Sequence, residues 1–372
     1  MKKILIVFPS AILSFSPSTL NLFDSLSKFF DVTILTLEPD SNFSSQKILN
    51  NKIIYLTLPR LSALTIFRAG LRRVYKEFGL KNNNFLLSTR TAIAIINKIK
   101  KFDGEIIAID FFALWCAKMA NKKAHLLSLE LFESDVYKDS CSINDIKSVI
   151  IQSEERYEFL FGNQEIKTFF VQNSPNYIDE QINFSERKKT ELIFCGSALP
   201  GFGIFNCLEF LEDFPEYRLT IKGAVPPSVQ NLIKEYFSDL IKQNRLIINN
   251  EYLSPSELNS YVASFRIGFV FYDYLRFDYI NTFNYKTAPS GKLFQYYNAG
   301  VPVISNVPRF CSINDYHTGV IIKSLGSVAI KNAIDQIETD YENYAKMSKK
   351  VSAHFDFSKN IAPFVNYLKE SD

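Results

Sequence analysis

The chain has 372 residues, 47% of them apolar, 15% aromatic and 22% charged, a composition that excludes a disordered or collagen-like polymer. Lys and Arg outnumber Asp and Glu by 42 to 39, and a net charge of +3 is too near balance to mark a nucleic-acid binder. The length fits two domains, because a single core seldom grows past about 250–300 residues.

The opening MKKILIVFPSAIL imitates a secretory signal, but Pro9 interrupts the apolar run and no small-x-small cleavage site follows. ILIVF reads instead as the buried first strand of a parallel sheet. A helix follows, with Leu20, Leu22, Phe23, Leu26 and Phe30 at helical spacing, and then a strand from Val32 to Leu37. Strands are expected at Lys52 to Leu58, Glu105 to Ile109, Ala124 to Leu129 and Ser148 to Gln152, separated by a helical stretch ending near Lys100 and a helix from Phe112 to Ala120. Continuous Val/Ile/Leu strands alternating with helices mean a parallel sheet covered on both faces.

Near residue 180 the pattern lapses into QINFSERKKTE, read as an interdomain linker, so the first domain spans 1–184 and the second 185–355. The second restarts with a strand at Leu192 to Cys195 running into the loop GSALPGFG, then a helix around Cys207 to Leu211 and a strand RLTIKG. After a Pro-Pro turn and a helix ending before Asn244 come a strand RLIIN, a helix from Pro255 to Ser264 and a strand IGFVFY. The helix KLFQYYNAG and the strand VPVIS complete the run. The fold class is therefore α/β, two doubly wound Rossmann-like domains expected to enclose a cleft at the carboxyl ends of their strands.

Five scattered cysteines, with no C-x-x-C pair, read as reduced thiols, and three dispersed histidines do not suggest a metal cluster. Reduced thiols point to a cytoplasmic protein, and since no apolar stretch reaches the roughly 18 residues of a spanning helix, the chain is expected to be soluble or at most attached to a membrane surface. Residues 57–81 place Leu64, Phe67, Leu71, Val74 and Phe78 at helical spacing among six cations and Glu77. That basic amphipathic stretch suits either an anionic membrane surface, at the inner face of the cytoplasmic membrane, or an ordinary domain helix.

The most informative segment is Thr287 to Asn306. Pro289 and Ser290 suit a helix entry, Gly291 and Lys292 its first turn, and Gly300 its C′ position. A helix N-terminus carrying an ammonium is a seat for a diphosphate. The alternative is a solvated surface lysine, although a cation in a first turn opposes the macrodipole unless an anion sits there.

In this segment the sequence resembles the glycosyltransferases of the GT-B fold, whose C-terminal lobe carries K-[LI]-x-E-Y-x-x-x-G-x-P-V-I at the sugar-nucleotide site. Lys292, Tyr296, Gly300, Pro302, Val303 and Ile304 fit it. VQNSPN, from Val171 to Asn176, resembles the V-x-P-N turn before the linker, and LSPSELNSYVASFRIGFVFY resembles the segment preceding the nucleotide site. Many retaining members carry two glutamates eight positions apart, where this chain has Thr287 and Gln295. K-x-x-Q-Y is instead similar to the inverting glucuronosyltransferase of xanthan assembly, while K-x-x-E-Y marks related glycan-assembly transferases. The resemblance makes Lys292 a diphosphate clamp and Gln295 a ribose or base contact; Gln295 as a plain surface amide is the alternative. It also implies a C-terminal helix, about 356–372, packing back on the first domain.

The resemblance further implies a carboxylate base from the N-terminal lobe. Asp110, ending the strand EIIAID, is the first candidate, with an N-cap of the following helix as its other reading. Glu130 and Glu133 after the next strand are candidates for base, acceptor contact or mere surface charge. Gly196, Ser197 and Gly203 in GSALPGFG allow close backbone approach to phosphate or sugar, although such glycines also make simple turns. Asp273 and Tyr274, and Asn284 and Tyr285, are candidate donor-sugar contacts or ordinary loop polarity.

The expected function is metal-independent transfer of a sugar from a nucleoside diphosphate sugar, a UDP-sugar first, to a hydroxyl of a growing surface glycan or lipid-linked saccharide. Inversion is the expected course, with no cofactor beyond the nucleotide-sugar substrate. A sugar-nucleotide 2-epimerase and a non-catalytic partner subunit are the alternatives.

Overall fold

The computed structural model describes residues 1–371 except 40–46, 57–83, 133–134, 281, 289 and 311, and of residues 15 and 84–88 the backbone alone. The basic stretch 57–81, Glu133 and Pro289 therefore lie outside the described residues. The chain divides into two compact units, residues 1–171 with 361–372, and residues 172–360. The polar run read as a linker lies inside the second unit, and the returning C-terminal segment starts at Ile361.

The first unit is built on strands Lys3–Val7 (β1), Asp31–Leu37 (β2), Ile53–Leu56 (β3), Glu105–Ile109 (β4), Ala124–Leu127 (β5), Ile146–Ile151 (β6) and Thr168–Phe170 (β7). They pair in parallel in the order β3-β2-β1-β4-β5-β6-β7. Between them run helices Pro17–Ser27 (α1), Asn84–Lys101 (α2), Asp110–Met119 (α3), Val136–Asp139 (α4) and Glu154–Phe161 (α5). The inner strands are buried along their length, which is why they carry Ile, Leu and Val without alternation. Strand order reverses between β1 and β4, leaving the loops after these two strands splayed apart.

The second unit repeats the design. Its strands Glu191–Cys195 (β8), Arg218–Lys222 (β9), Leu246–Asn249 (β10), Ile267–Val270 (β11), Val303–Ser305 (β12) and Gly319–Ile321 (β13) lie in the order β10-β9-β8-β11-β12-β13. Helices Ile204–Asp213 (α6), Pro227–Tyr236 (α7), Ser238–Lys242 (α8), Pro255–Val262 (α9), Phe283–Thr287 (α10), Gly291–Asn298 (α11) and Ser312–Asp315 (α12) connect them. Ser327–Thr339 (α13), Tyr341–Ser352 (α14) and Phe357–Asn360 (α15) follow, and Ala362–Glu370 (α16) belongs to the first unit. Short β7 and β13 carry no strand signal in the sequence, because three residues are too few to show a period. None of the described helices is long and apolar enough to cross a membrane.

Two polar devices hold these elements. In the first unit His125, buried on β5, bonds Ser148 Oγ at 2.8 Å and Glu105 at 3.3 Å, and meets Phe364 and Tyr367 of α16 edge-on. The Lys2 ammonium reaches the carbonyls of Leu368 and Ser371, so α16 is fastened to the strand edge.

In the second unit Arg187 is buried, donating to the carbonyls of Ala263, Ala299 and Gly300 and to the Tyr341 hydroxyl. Its guanidinium thus collects carbonyl groups left over at the ends of α9 and α11. The sequence reads this segment as a polar linker; burial of the Arg187 guanidinium makes it a strap within the second unit. Arg187→Ala is expected to destabilise the second unit by about 2–4 kcal/mol, since it orphans several buried carbonyls. Arg187→Lys is expected to restore only part of this, as one ammonium cannot span the same acceptors. Denaturant unfolding of the variants checks both.

Candidate functional site

α11 begins at Gly291, with Ser290 as an N-cap residue whose side chain makes no capping bond. Its first N–H groups, apart from that of Leu293, which bonds the Ser290 carbonyl at 3.0 Å, have no intrahelical acceptors and emerge at the carboxyl edge of the second sheet. The helix is seated by Tyr296, fully buried, whose hydroxyl accepts from Cys195 N at 2.8 Å and reaches the carbonyls of Ile193 and Phe269 at 3.2 Å. β8 and β11 pair only at Leu192–Ile267 and Ile193–Gly268, and beyond that point the Tyr296 hydroxyl bridges them. Residue 268 must be glycine for this, because a Cβ would stand 2.7 Å from the Tyr296 ring. The amino end of α11 is thereby fixed at the place where the strand order reverses.

Lys292 sits in that first turn with its Nζ 4.0 Å from the Phe194 ring centroid and 4.6 Å from that of Phe202. Gly196, at φ +87°, lies against the lysine stem, where an added Cβ would meet Cε at 3.1 Å. No carboxylate pairs with this ammonium among the described residues. Burial therefore pulls its pKa down to about 7, only slightly offset by the Cys195 and Cys207 thiols. A cation held over aromatic faces, at a helix end that favours anions, is arranged for a ligand's negative charge. One turn on, the buried Nε2 of Gln295 has no hydrogen-bond partner. A buried amide donor left open in a folded protein is a position a ligand oxygen would satisfy.

The other sequence candidates of this unit divide. Phe202 links Lys292 to Tyr272 and Tyr285, at centroid distances of 5.4 and 5.7 Å, and Tyr274 stacks on Tyr272 at 5.8 Å. Gly196, Lys292, Tyr274 and Tyr285 therefore belong to one aromatic-lined cluster, and Ser197 is exposed beside Gly196. Gly291 lies against Asn173, and Asn284 and Ser290 are buried. Asp273 is buried and turned to Arg276, which reaches on to Glu209, so its carboxylate holds a turn. Gly203, at φ +70°, approaches Phe271 so closely that a Cβ would stand 2.5 Å away, which makes it a packing glycine.

In the first unit, Asp110 opens α3 directly after β4 at φ +60°, a left-handed conformation that costs a non-glycine residue about 1–2 kcal/mol. Its carboxylate does not cap α3. Oδ1 instead accepts from Leu129 N at 2.7 Å and Glu130 N at 3.1 Å, at the end of β5. The Leu129 carbonyl is held in turn by Arg156 Nη2 at 2.8 Å and Gln152 Nε2 at 3.4 Å. Arg156 is fully buried, so the loop that grips Asp110 is itself gripped. Burial pushes the Asp110 pKa up to about 7, against the pull of the two N–H groups and of Arg156. A carboxyl group half ionised at neutral pH is suited to general-base work.

Asp110 opens onto a cavity of about 380 Å³ between the loops after β1 and β4. Ser10 from the first loop, Phe112 from the second, and Thr91 and Tyr137 line it. The sequence reading missed these four, together with Arg156, Phe194 and Phe202. The turn Phe8-Pro9-Ser10 was findable, since it follows the first strand at the point of order reversal. Thr91, Tyr137 and Arg156 carry no local signal.

No family model and no curated protein matches the sequence. Solved structures do. The structure of HepE from Anabaena in complex with UDP and glucose aligns over 99% of this chain and 100% of its own, with a TM-score of 0.64 at 13% identity. The pneumococcal O-GlcNAc transferase GtfA, in complex with UDP and GlcNAc, aligns over 99% of both chains at a TM-score of 0.65 and 11% identity. A protein described as a UDP-N-acetylglucosamine 2-epimerase, from Listeria monocytogenes, aligns over 100% of this chain and 97% of its own, with a TM-score of 0.55 at 13% identity. The chain thus has the GT-B fold, two doubly wound parallel-sheet domains.

Proposed function

We propose that the chain is an inverting, metal-independent glycosyltransferase. It moves a sugar from a nucleoside diphosphate sugar, a UDP-sugar first, to a hydroxyl of a growing surface glycan or lipid-linked saccharide. The observation that carries this reading is Lys292, an ammonium without a carboxylate partner among the described residues, at an uncapped helix start beside Gly196. UDP complexes of HepE and GtfA, which share the fold, support a uridine nucleotide as the donor.

In the proposed reaction the acceptor oxygen attacks the anomeric carbon as the bond from that carbon to the diphosphate oxygen breaks. The acceptor proton passes to Asp110. The diphosphate departs with the bonding electron pair, and its growing charge is met by Lys292 and the first N–H groups of α11. Gln295 Nε2 donates to the ribose or base. The substitution of Thr287 and Gln295 for the family's glutamate pair supports the inverting course over the retaining one.

A thermal-shift panel of UDP, GDP, CMP and dTDP on the wild type and Lys292→Ala tests the donor site. A nucleotide at a hundred times its Kd stabilises by about 2.7 kcal/mol, or roughly 5–10 °C for a unit of this size. Selective stabilisation by UDP that Lys292→Ala removes is the expected result. No shift with any nucleotide would favour a non-catalytic subunit. Conversion of UDP-GlcNAc to its C2 epimer, with the nucleotide retained and no acceptor consumed, would favour the epimerase reading.

A further inference from the structure

The cavity beside Asp110 has a chemistry of its own. At about 380 Å³ it stands at the low end of the roughly 300–1,000 Å³ of small-molecule sites, room for one ring and its link. Its aromatic wall is a corner. The rings of Phe112 on α3 and Tyr137 on α4 meet edge to face, 4.8 Å apart at 73°. Trp115, one turn along α3, backs both, at 6.2 Å from Phe112 and 5.5 Å from Tyr137. Three interlocked rings leave little rotamer freedom to lose on binding. The remaining polar groups of the lining are the Asp110 carboxylate and the hydroxyls of Ser10 and Thr91.

We propose that this cavity is the acceptor subsite and takes one uncharged pyranose ring, stacked on the Phe112–Tyr137 corner with a ring hydroxyl on Asp110. The inference rests on the transferase reading and adds the class of acceptor. A pyranose has a face of polarised C–H groups, which suits the negative face of an aromatic ring, and a rim of hydroxyls, which suits a carboxylate and two hydroxyls. Asp110 is the one acid or base among the described lining residues, so a uronate or phosphate seated here would meet a like charge. A lipid chain would offer no donor to Asp110 Oδ2, since the bonds from Leu129 and Glu130 both go to Oδ1.

Saturation-transfer NMR on the full chain tests it, with and without UDP. The probes are methyl glucopyranoside, methyl galactopyranoside, methyl N-acetylglucosaminide and methyl glucuronide. Transfer to the ring protons of at least one neutral glycoside is expected, weakened about tenfold in apparent Kd by Tyr137→Ala and kept by Tyr137→Phe, with the UDP thermal shift unchanged in both variants. An unchanged urea unfolding midpoint of the first unit in Tyr137→Ala separates a binding effect from a fold defect. Stronger transfer to the glucuronide, no transfer to any neutral glycoside, or equal transfer in Tyr137→Ala would overturn the proposal. Glycoside transfer with no UDP shift would uphold the cavity and remove the donor assignment instead.

Discussion

Asp110→Asn is expected to lower kcat by about 10²–10⁴-fold, the usual worth of a positioned general base, while making the protein more stable at neutral and alkaline pH. The two effects have one cause. The unfolded carboxyl ionises near its ordinary 3.8, but in the folded chain burial holds its pKa at about 7. As pH rises from about 4 to 7, the unfolded state releases a proton that the folded state still binds, so stability falls across this window and levels off above it. The ceiling of that loss is about 4 kcal/mol, and we expect about 1–3 kcal/mol because Asp110 is partly accessible. Asn accepts the same Leu129 and Glu130 N–H groups and tolerates the left-handed backbone at position 110. The variant and wild type are thus expected to unfold alike at pH 4, with the variant ahead at pH 8, by denaturant titration at both pH values. Equal stability at pH 8 would show that the carboxylate is not desolvated. An unchanged kcat would move the base to another group.

Donor affinity is expected to fall with rising pH, about tenfold per pH unit above 7 until it levels off at the affinity of the neutral-lysine form, and to be weakened in Lys292→Ala. The free Lys292 ammonium, desolvated by Phe194 and Phe202, gives up its proton near pH 7, far below an ordinary lysine. A diphosphate binds the charged form and brings the missing counter-charge, so binding above pH 7 takes up a proton. Calorimetric titration of UDP in two buffers of different ionisation enthalpy reads that proton directly. Loss of one charge-assisted contact, about 1.5–3 kcal/mol, weakens UDP by roughly 10–150-fold in Lys292→Ala at pH 6.5. If UDP binding is flat from pH 6 to 9, the lysine does not hold the diphosphate. Combined with the Asp110 limb, which rises as its carboxylate ionises, transfer is expected to follow a bell centred near pH 7.

Asp110 shows how a legible residue changes meaning in three dimensions. Its place at the end of EIIAID marks it as a rim acid, and the local sequence offers a helix cap as the alternative. Its partners lie 19 and 20 positions away, on a neighbouring strand end, and no local pattern pairs them with it. Gly203 is the converse case. A glycine in a loop after a strand reads as a place for close ligand approach, but its missing Cβ makes room for Phe271. Asp273 likewise reads as an available acid until Arg276, three residues on, occupies it.

The sequence by itself determined the alternation of apolar strands with amphipathic helices, and hence two parallel sheets with their loops at the carboxyl edges. That information is local, because strand and helix periods are written over five to fifteen residues. It also marked α11 by its glycines and lysine, since a helix start and stop are local too. Tertiary structure alone decided the electrostatics: which lysine is stripped of water, which aspartate is held at a half-ionised pKa, and which arginine disappears into the core. Lys292 and Phe194 are 98 positions apart (292 − 194), and Arg187 and the Gly300 carbonyl 113. Desolvation depends on what arrives from such distances, and a chain read in order does not contain it.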